Sequence, residues 1–447
     1  MIGTSTAPVI PSGARDPSVQ VGASAFAALA DAATSSGPAW LVARRREAAA
    51  RFAEVGVPST RDEEWRFTPV APIATTAWTA VGASTPVSAA DVAALRLADG
   101  PLAVLVDGVF VAALSNLPAS IQASSLQAAI AAGDATVETH LGTIALPTAT
   151  PFSALSLATF TDGVVLHLAA GTELAAPLEI LHLTTAAADG ALVAPRVLIT
   201  AAKAARGAVV EQFVSLADTV HLSNAVTEVV LGEASWVEHI RVQREGARAW
   251  HVGYTHAHQA RASHYRSFAL SIGGKVSRHN LHARLAGEQV ETLMYGLYLT
   301  QHEQLADTHS AIFHDQPNCN SWEVYKGVLA DKSRAVFNGK VFVEPIAQKT
   351  DAKQTNRNLL LSDQAKVDTK PQLEIFADDV KCTHGATVGR LNEQQRYYLQ
   401  TRGIGGRTAQ ELLIWAFAAE VLTEVTIPAV RNGIERIVRD RLEAMLG

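Results

Sequence analysis

The sequence Lys381-Cys382-Thr383-His384-Gly385 sets a cysteine two residues from a histidine. In an extended strand, residues i and i+2 face the same side. A thiol and an imidazole would then stand side by side, and both are good ligands for iron or zinc. A closed metal site or cluster usually takes about four protein ligands. Cys382 and His384 therefore make half a site, and the rest must come from elsewhere, such as a second subunit. A plainer reading exists: cysteine is often buried as a small hydrophobe, and His384 before Gly385 can finish a turn. Residue chemistry alone leaves both open. The other cysteine, Cys319, sits in the turn-like Asp315-Gln316-Pro317-Asn318-Cys319-Asn320, with nothing nearby to activate it.

Ten of the fifteen histidines lie between His239 and His314, including His256-Ala257-His258 and His279-Asn280-Leu281-His282. They suit a metal- or proton-handling surface. They equally suit side chains stacked on successive β rungs, where like positions line up. No His-Glu-x-x-His pattern occurs, which removes the usual zinc hydrolase. Gly273-Gly274-Lys275 lacks the first glycine and the Ser/Thr of a phosphate loop, so the chain is expected to bind no nucleotide itself. Gly403-Ile404-Gly405-Gly406 follows a helix rather than a strand and reads as a helix stop. Asp378-Asp379 are read as turn residues rather than a hydrolytic pair.

The elements that position these residues change character along the chain. Residues 1–22 are rich in Ser, Pro, Gly and Ala and read as a flexible tail. Residues 23–150 read as a helical or mixed region. Within it a helix is expected over 38–55, capped by Ser36 or Gly37 and ended by Gly56, with Leu41, Ala48, Phe52 and Val55 on one face and Arg44, Arg45 and Arg46 interrupting the stripe. Residues 151–389 read as β: short runs at 196–200, 208–214, 225–231, 236–242, 291–299, 335–343 and 372–376, with no amphipathic helix between them. Only Asp162-Gly163, Asp189-Gly190 and Asn338-Gly339 offer tight hairpin signals there, which favours a parallel β-helix over a meander. Residues 390–447 read as helical: 393–401 stopped at Gly403, a helix to about 423 opened by a Thr408-to-Glu411 capping box, and a last helix from Pro428.

The 447 residues carry 48% hydrophobic and 18% charged side chains, enough for a sizeable core. A net charge of -6 and no basic stripe argue against nucleic acid. Two cysteines cannot build a disulfide framework. No apolar run reaches the roughly 18 residues of a membrane span, and no signal-peptide core is present, so a soluble, cytoplasmic protein is expected.

Several stretches together resemble the SufD branch of the SufB/SufD family of iron–sulfur cluster assembly scaffolds. The matching residues are Ala347 to Leu361, Asp368 to Gly389 and Tyr397 to Ile404, with weaker agreement at Glu64-Trp65-Arg66-Phe67, Val106 to Phe110 and Ala194 to Ile199. The resemblance implies a right-handed parallel β-helix between N- and C-terminal helical regions. It implies a non-catalytic scaffold that pairs with a SufB-type paralogue and docks a SufC-type ABC ATPase, or self-pairs when alone. Cys382 and His384 fall on the family's Cys-x-His pair, which implies that they hold a transient cluster at the subunit interface, shared with the partner. By position the C-terminal helices would dock the ATPase, with Leu412, Trp415, Val430, Ile434, Val438 and Leu442 as the apolar residues involved. A polysaccharide-cleaving β-helix and a metal-binding protein using His256 and His258 are the rival readings.

Overall fold

The computed structural model describes residues 19–446 apart from Ser35 and Ser84, with side chains from residue 23 on. Most of the expected 1–22 tail lies outside the described residues, and the described chain begins in the helix Val19–Ala33.

The centre is a β-solenoid of about eight turns. Each turn gives one strand to each of two long sheets, so parallel neighbours in a sheet are one turn apart in sequence. The turn length is set at the corners. Ala204, Ala234, Ala262, Gln289, Asn318 and Lys349 all have positive φ, between 56 and 63°, and recur every 27–31 residues. A left-handed residue at each corner swings the chain from one sheet to the other. The Asn338-Gly339 pair is not a turn; it lies inside the strand Arg334–Val343.

Inward-facing residues such as Val209, Val237, Leu281, Tyr298, Tyr325 and Phe337 fill one continuous core. The outer face of the first sheet is covered by the C-terminal helices Gly406–Leu422 and Pro428–Leu446, through Ile414, Ala418, Val430, Ile434, Val438 and Leu442 packed on Ile240, Phe268, Leu297 and Val328. The outer face of the second sheet carries the N-terminal region, with Phe26, Phe52, Trp65 and Phe152 against Trp250, Val252 and Val276. There the Arg278 guanidinium lies 3.8 Å over Trp65 and donates to the Glu64 carbonyl at 2.7 Å.

The helix expected over 38–55 runs Ala39–Val55 and ends at Gly56, φ 68°. Pro38 stands at its N-cap, so neither Ser36 nor Gly37 caps it. Arg45 does not interrupt the buried face but belongs to it, donating to the carbonyls of Ala33 and Phe160 at 2.6 and 2.8 Å. The capping box at Thr408 does not form. The helix starts two residues earlier at Gly406 with Gly405 as N-cap, and Glu411 instead pairs with Arg407 at 2.9 Å.

The two ends of the solenoid differ. At the start, the antiparallel strands Val109–Phe110 and Gln122–Ser125 close the sheets. At the finish, Lys381–Gly389 and Lys366–Ile375 are the outermost strands of their sheets and, among the described residues, have no strand beyond them.

Candidate functional site at the open end of the solenoid

Cys382 and His384 stand on that outermost strand. It pairs in parallel with Asp351–Leu360, setting Cys382 opposite Ala352 and His384 opposite Gln354. Ala352, Gln354, Asn356 and Asn358 are the buried, lumen-facing residues of their strand. Register places Cys382 and His384 on the same lumen face one rung further out. The strand's far edge offers unpaired backbone N–H and C=O groups, the usual template for another chain.

Cys382 is half-buried and packs against the small apolar cluster of Val341, Val343, Ala352 and Ala377. Burial pushes its thiol up, and the nearby Asp351 carboxylate adds to this, against a smaller opposing pull from the backbone at Ala352. The thiolate is therefore disfavoured at this position. His384, one pleat away, is exposed. Two such ligands at an open edge present soft sulfur and borderline nitrogen to whatever meets that edge.

Cys319 is fully buried, with its thiol directed at the Gly287 carbonyl at 3.3 Å and raised by burial. Asp379 sits in a turn and pairs with Lys349.

The histidine-rich stretch divides between the two sides of the solenoid wall. Inside, His239 meets Glu211 at 3.0 Å, His251 meets Glu245 at 2.6 Å, and His279 meets the Thr255 hydroxyl at 3.0 Å. Outside, the Tyr254 hydroxyl lies between the Nδ1 atoms of His256 and His282, at 3.1 and 3.0 Å. Burial holds His256 and His279 well below the usual imidazole value and takes His282 and His314 down to about 4. His256, His279, His282 and His314 are therefore neutral, hydrogen-bonding side chains. Among the described residues no three His, Cys, Asp or Glu side chains are arranged to hold a metal ion. His256 is bonded instead to the Tyr254 hydroxyl, at 3.1 Å.

The expected docking residues separate into two groups. Val430, Ile434, Val438 and Leu442 are buried in the chain's own core. That is a correction: their apolar stripe is already spent on the first sheet and is not open to a partner. Leu412 is 45% exposed, and Trp415 is half-buried beneath Arg439, 3.5 Å from its ring. The neighbouring helix Glu393–Thr401 has no buried residue and presents Tyr397 and Tyr398, 69% and 57% exposed.

Two buried polar residues behind the open end escaped sequence reasoning. Glu323 and Gln354 follow His384 inward on the same lumen column, rung by rung. The signal was the spacing: His384, Gln354 and Glu323 are one turn apart, which becomes readable only once the turn length is known.

The model of the SUF system FeS cluster assembly SufBD core domain matches residues 182–417, and that of the SufBD protein N-terminal region matches residues 23–180. The chain belongs to the SufBD family. It is 34% identical over 413 residues to an iron–sulfur cluster assembly SufBD family protein of Synechocystis, covering 90% of this chain and 91% of the relative. It is 35% identical over 374 residues to the iron–sulfur cluster assembly protein SufD of Escherichia coli, covering 83% and 85%. A chloroplastic protein of Arabidopsis thaliana, ABCI7, is 36% identical over 250 residues, 56% of this chain and 53% of the relative. The SufBD core match runs from within the strand Leu178–Thr184 through Lys381–Gly389 and into the helix that carries Leu412 and Trp415. No helix among the described residues is long and apolar enough to cross a membrane.

Proposed function

We propose that this SufBD family chain is a non-catalytic scaffold subunit of an iron–sulfur cluster assembly complex. Its open end pairs with a SufB-type paralogue, and Cys382 and His384 supply part of a transient ligand set at that joint. The observation that carries this reading is an outermost strand with a free edge and a Cys-x-His pair on its lumen face. The nascent cluster is cargo, and the partner provides the remaining ligands. Because local groups disfavour the Cys382 thiolate, the arriving cation itself draws off the proton, which keeps the site idle until the joint is loaded.

A SufC-type ATPase docks on the exposed side of the C-terminal helices, through Tyr397, Tyr398, Leu412 and the rim of Trp415. A polar clamp behind that surface would carry ATP-driven motion to the site. Lys326, 1% exposed, donates to Glu420 and to the Phe417 carbonyl at 2.5 and 3.0 Å. Glu420 also lies 3.5 Å from Arg357, on the strand adjoining Lys381–Gly389.

The test is co-expression with both partners, wild type against His384→Ala, with iron and sulfide measured on the purified complex. The complex is expected to form in both, with cluster content several-fold lower in the variant. Equal loading would remove His384 from the function. Leu412→Asp is expected to weaken ATPase capture while leaving the paralogue bound. When the chain is expressed alone, sedimentation would show whether the same edge joins two copies.

A further inference from the structure

Three lumen-facing side chains line up at the open end: Glu323, Gln354 and His384, opposite one another on successive strands of the first sheet. Glu323 and Gln354 are 1% and 2% exposed. Gln354 Nε2 donates to Glu323 Oε2 at 2.7 Å. That bond orients the amide, because it commits the nitrogen to the inner rung. Gln354 Oε1 is left buried with no partner. An unpaired buried carbonyl is costly, and such groups are nearly always bonded in folded proteins. The site is also built around this side chain. A Cβ at Gly339, on the facing sheet, would fall 2.2 Å from Gln354 Nε2. Unpartnered buried oxygens gather at this end, among them Glu323 Oε1, Tyr325 Oη and Thr369 Oγ1. The His384 Cα stands opposite that of Gln354 on the outermost rung, and the imidazole is exposed at the open end, one rung out from the Gln354 amide.

We propose that Gln354 is the positioning residue for His384, accepting one imidazole N–H on its free carbonyl oxygen, and that Glu323 holds Gln354 in the orientation that makes this possible. The inference rests on the reading of His384 as a cluster-assembly ligand. A histidine that ligates a soft cation through one nitrogen needs its other N–H donated to an oxygen, which fixes both the tautomer and the ring direction. Aspartate or glutamate often plays that part. Here a neutral amide does, so no second negative charge is brought next to a Cys382 thiol already disfavoured as a thiolate. Glu323 has no cationic partner among its hydrogen bonds, and burial pushes its carboxyl up to about 7. Its Oε2 remains an acceptor in either protonation state.

Two readouts decide it. Full-length chain labelled with ¹⁵N-histidine reports the His384 ring tautomer, the resonance being assigned by its loss in His384→Ala. Iron and sulfide on the complex co-purified with the SufB-type and SufC-type partners report function. Wild-type His384 is expected in a single tautomer. Gln354→Met and Glu323→Met are expected to give mixed tautomers and about tenfold less cluster. Glu323→Gln keeps an acceptor for Gln354 Nε2, and is expected to restore both to near the wild-type values. A mixed tautomer in the wild type overturns the proposal without any variant, as does a single tautomer that survives in a folded Gln354→Met. If the His384→Ala complex loads cluster like wild type, the functional reading of His384 fails, while the tautomer still decides whether Gln354 orients the ring.

Discussion

At the scale of single residues, the most consequential side chains outside the open end are those that commit the N-terminal region to the solenoid. Glu228 is fully buried on the second sheet. It accepts from Arg196, also fully buried, at 2.8 Å and from the backbone N–H groups of Gly142, Ile144 and Ala145 at 2.9–3.2 Å. Removing one partner of such a set leaves a charge and several donors stranded away from water. Glu228→Ala is therefore expected to cost about 3–5 kcal/mol, read as a lower urea midpoint, with local loosening of residues 141–146 seen as faster amide exchange. A loss below 1 kcal/mol would mean that water replaces the carboxylate there. Nothing in the sequence marked Glu228, because its partners come from segments 32 and more than 80 residues away. The Cys382/His384 pair was readable for the opposite reason: period-2 geometry is local, so two residues on one strand face are adjacent wherever the strand lies.

At the scale of elements, the strands and the last three helices were readable because alternation, helical spacing and breaker residues are local. Helix 393–401 lies where Gly403, φ 83°, would stop it. What covers an apolar face is not local. The 430/434/438/442 stripe showed that the last helix hides one side, but only the fold shows that the solenoid itself is what covers it. Lumen packing is equally non-local, and it depends on two glycines that sequence alone left unremarked. A Cβ at Gly327 would stand 2.0 Å from Tyr298 Cε2 and 2.5 Å from Asn358 Oδ1, and one at Gly296 would stand 2.1 Å from Tyr325 Cε1. Each glycine makes room for the tyrosine of the neighbouring rung. Gly327→Ala is expected to destabilise the solenoid by about 1–3 kcal/mol through overpacking, and the double variant with Tyr298→Leu should recover part of the loss. A double variant no better than Gly327→Ala would point to backbone strain instead of the ring contact.

At the scale of the whole molecule, a chain that buries histidines both inside its solenoid and on the covered outer face must lose stability in acid, and the sign follows from where each proton sits. Burial keeps His282 and His314 at about 4, and His256 and His279 lower than usual as well. In the unfolded chain a histidine takes up its proton near pH 6.5. Below that pH the unfolded state binds protons that the native state refuses, so stability falls as pH falls. Glu323 acts the other way. Its native carboxyl, raised to about 7, holds a proton that the unfolded chain releases above roughly 4.3, so it adds stability as pH drops from 7 toward that value. Near pH 5, where the unfolded histidines are almost fully protonated, His282 and His314 together outweigh it by about one proton, a slope of about 1.4 kcal/mol per pH unit, to which His256 and His279 add. Burial alone would raise Glu211 and Glu245, but hydrogen bonds and charge from His182 and His239, and from His251 and His221, hold both well below the usual carboxylate range. Their contribution is present above the unfolded carboxylate value and is lost only below it, so it deepens the decline in stronger acid. Urea midpoints should therefore fall steadily from pH 7 to 5. His314→Gln should flatten that slope by about one proton, and Glu323→Gln should steepen it by the same amount. A midpoint independent of pH over this range would mean that the buried histidines are reached by water and titrate as in the unfolded chain, so that both the lumen around His279 and His314 and the outer face around His256 and His282 would have to be open to water.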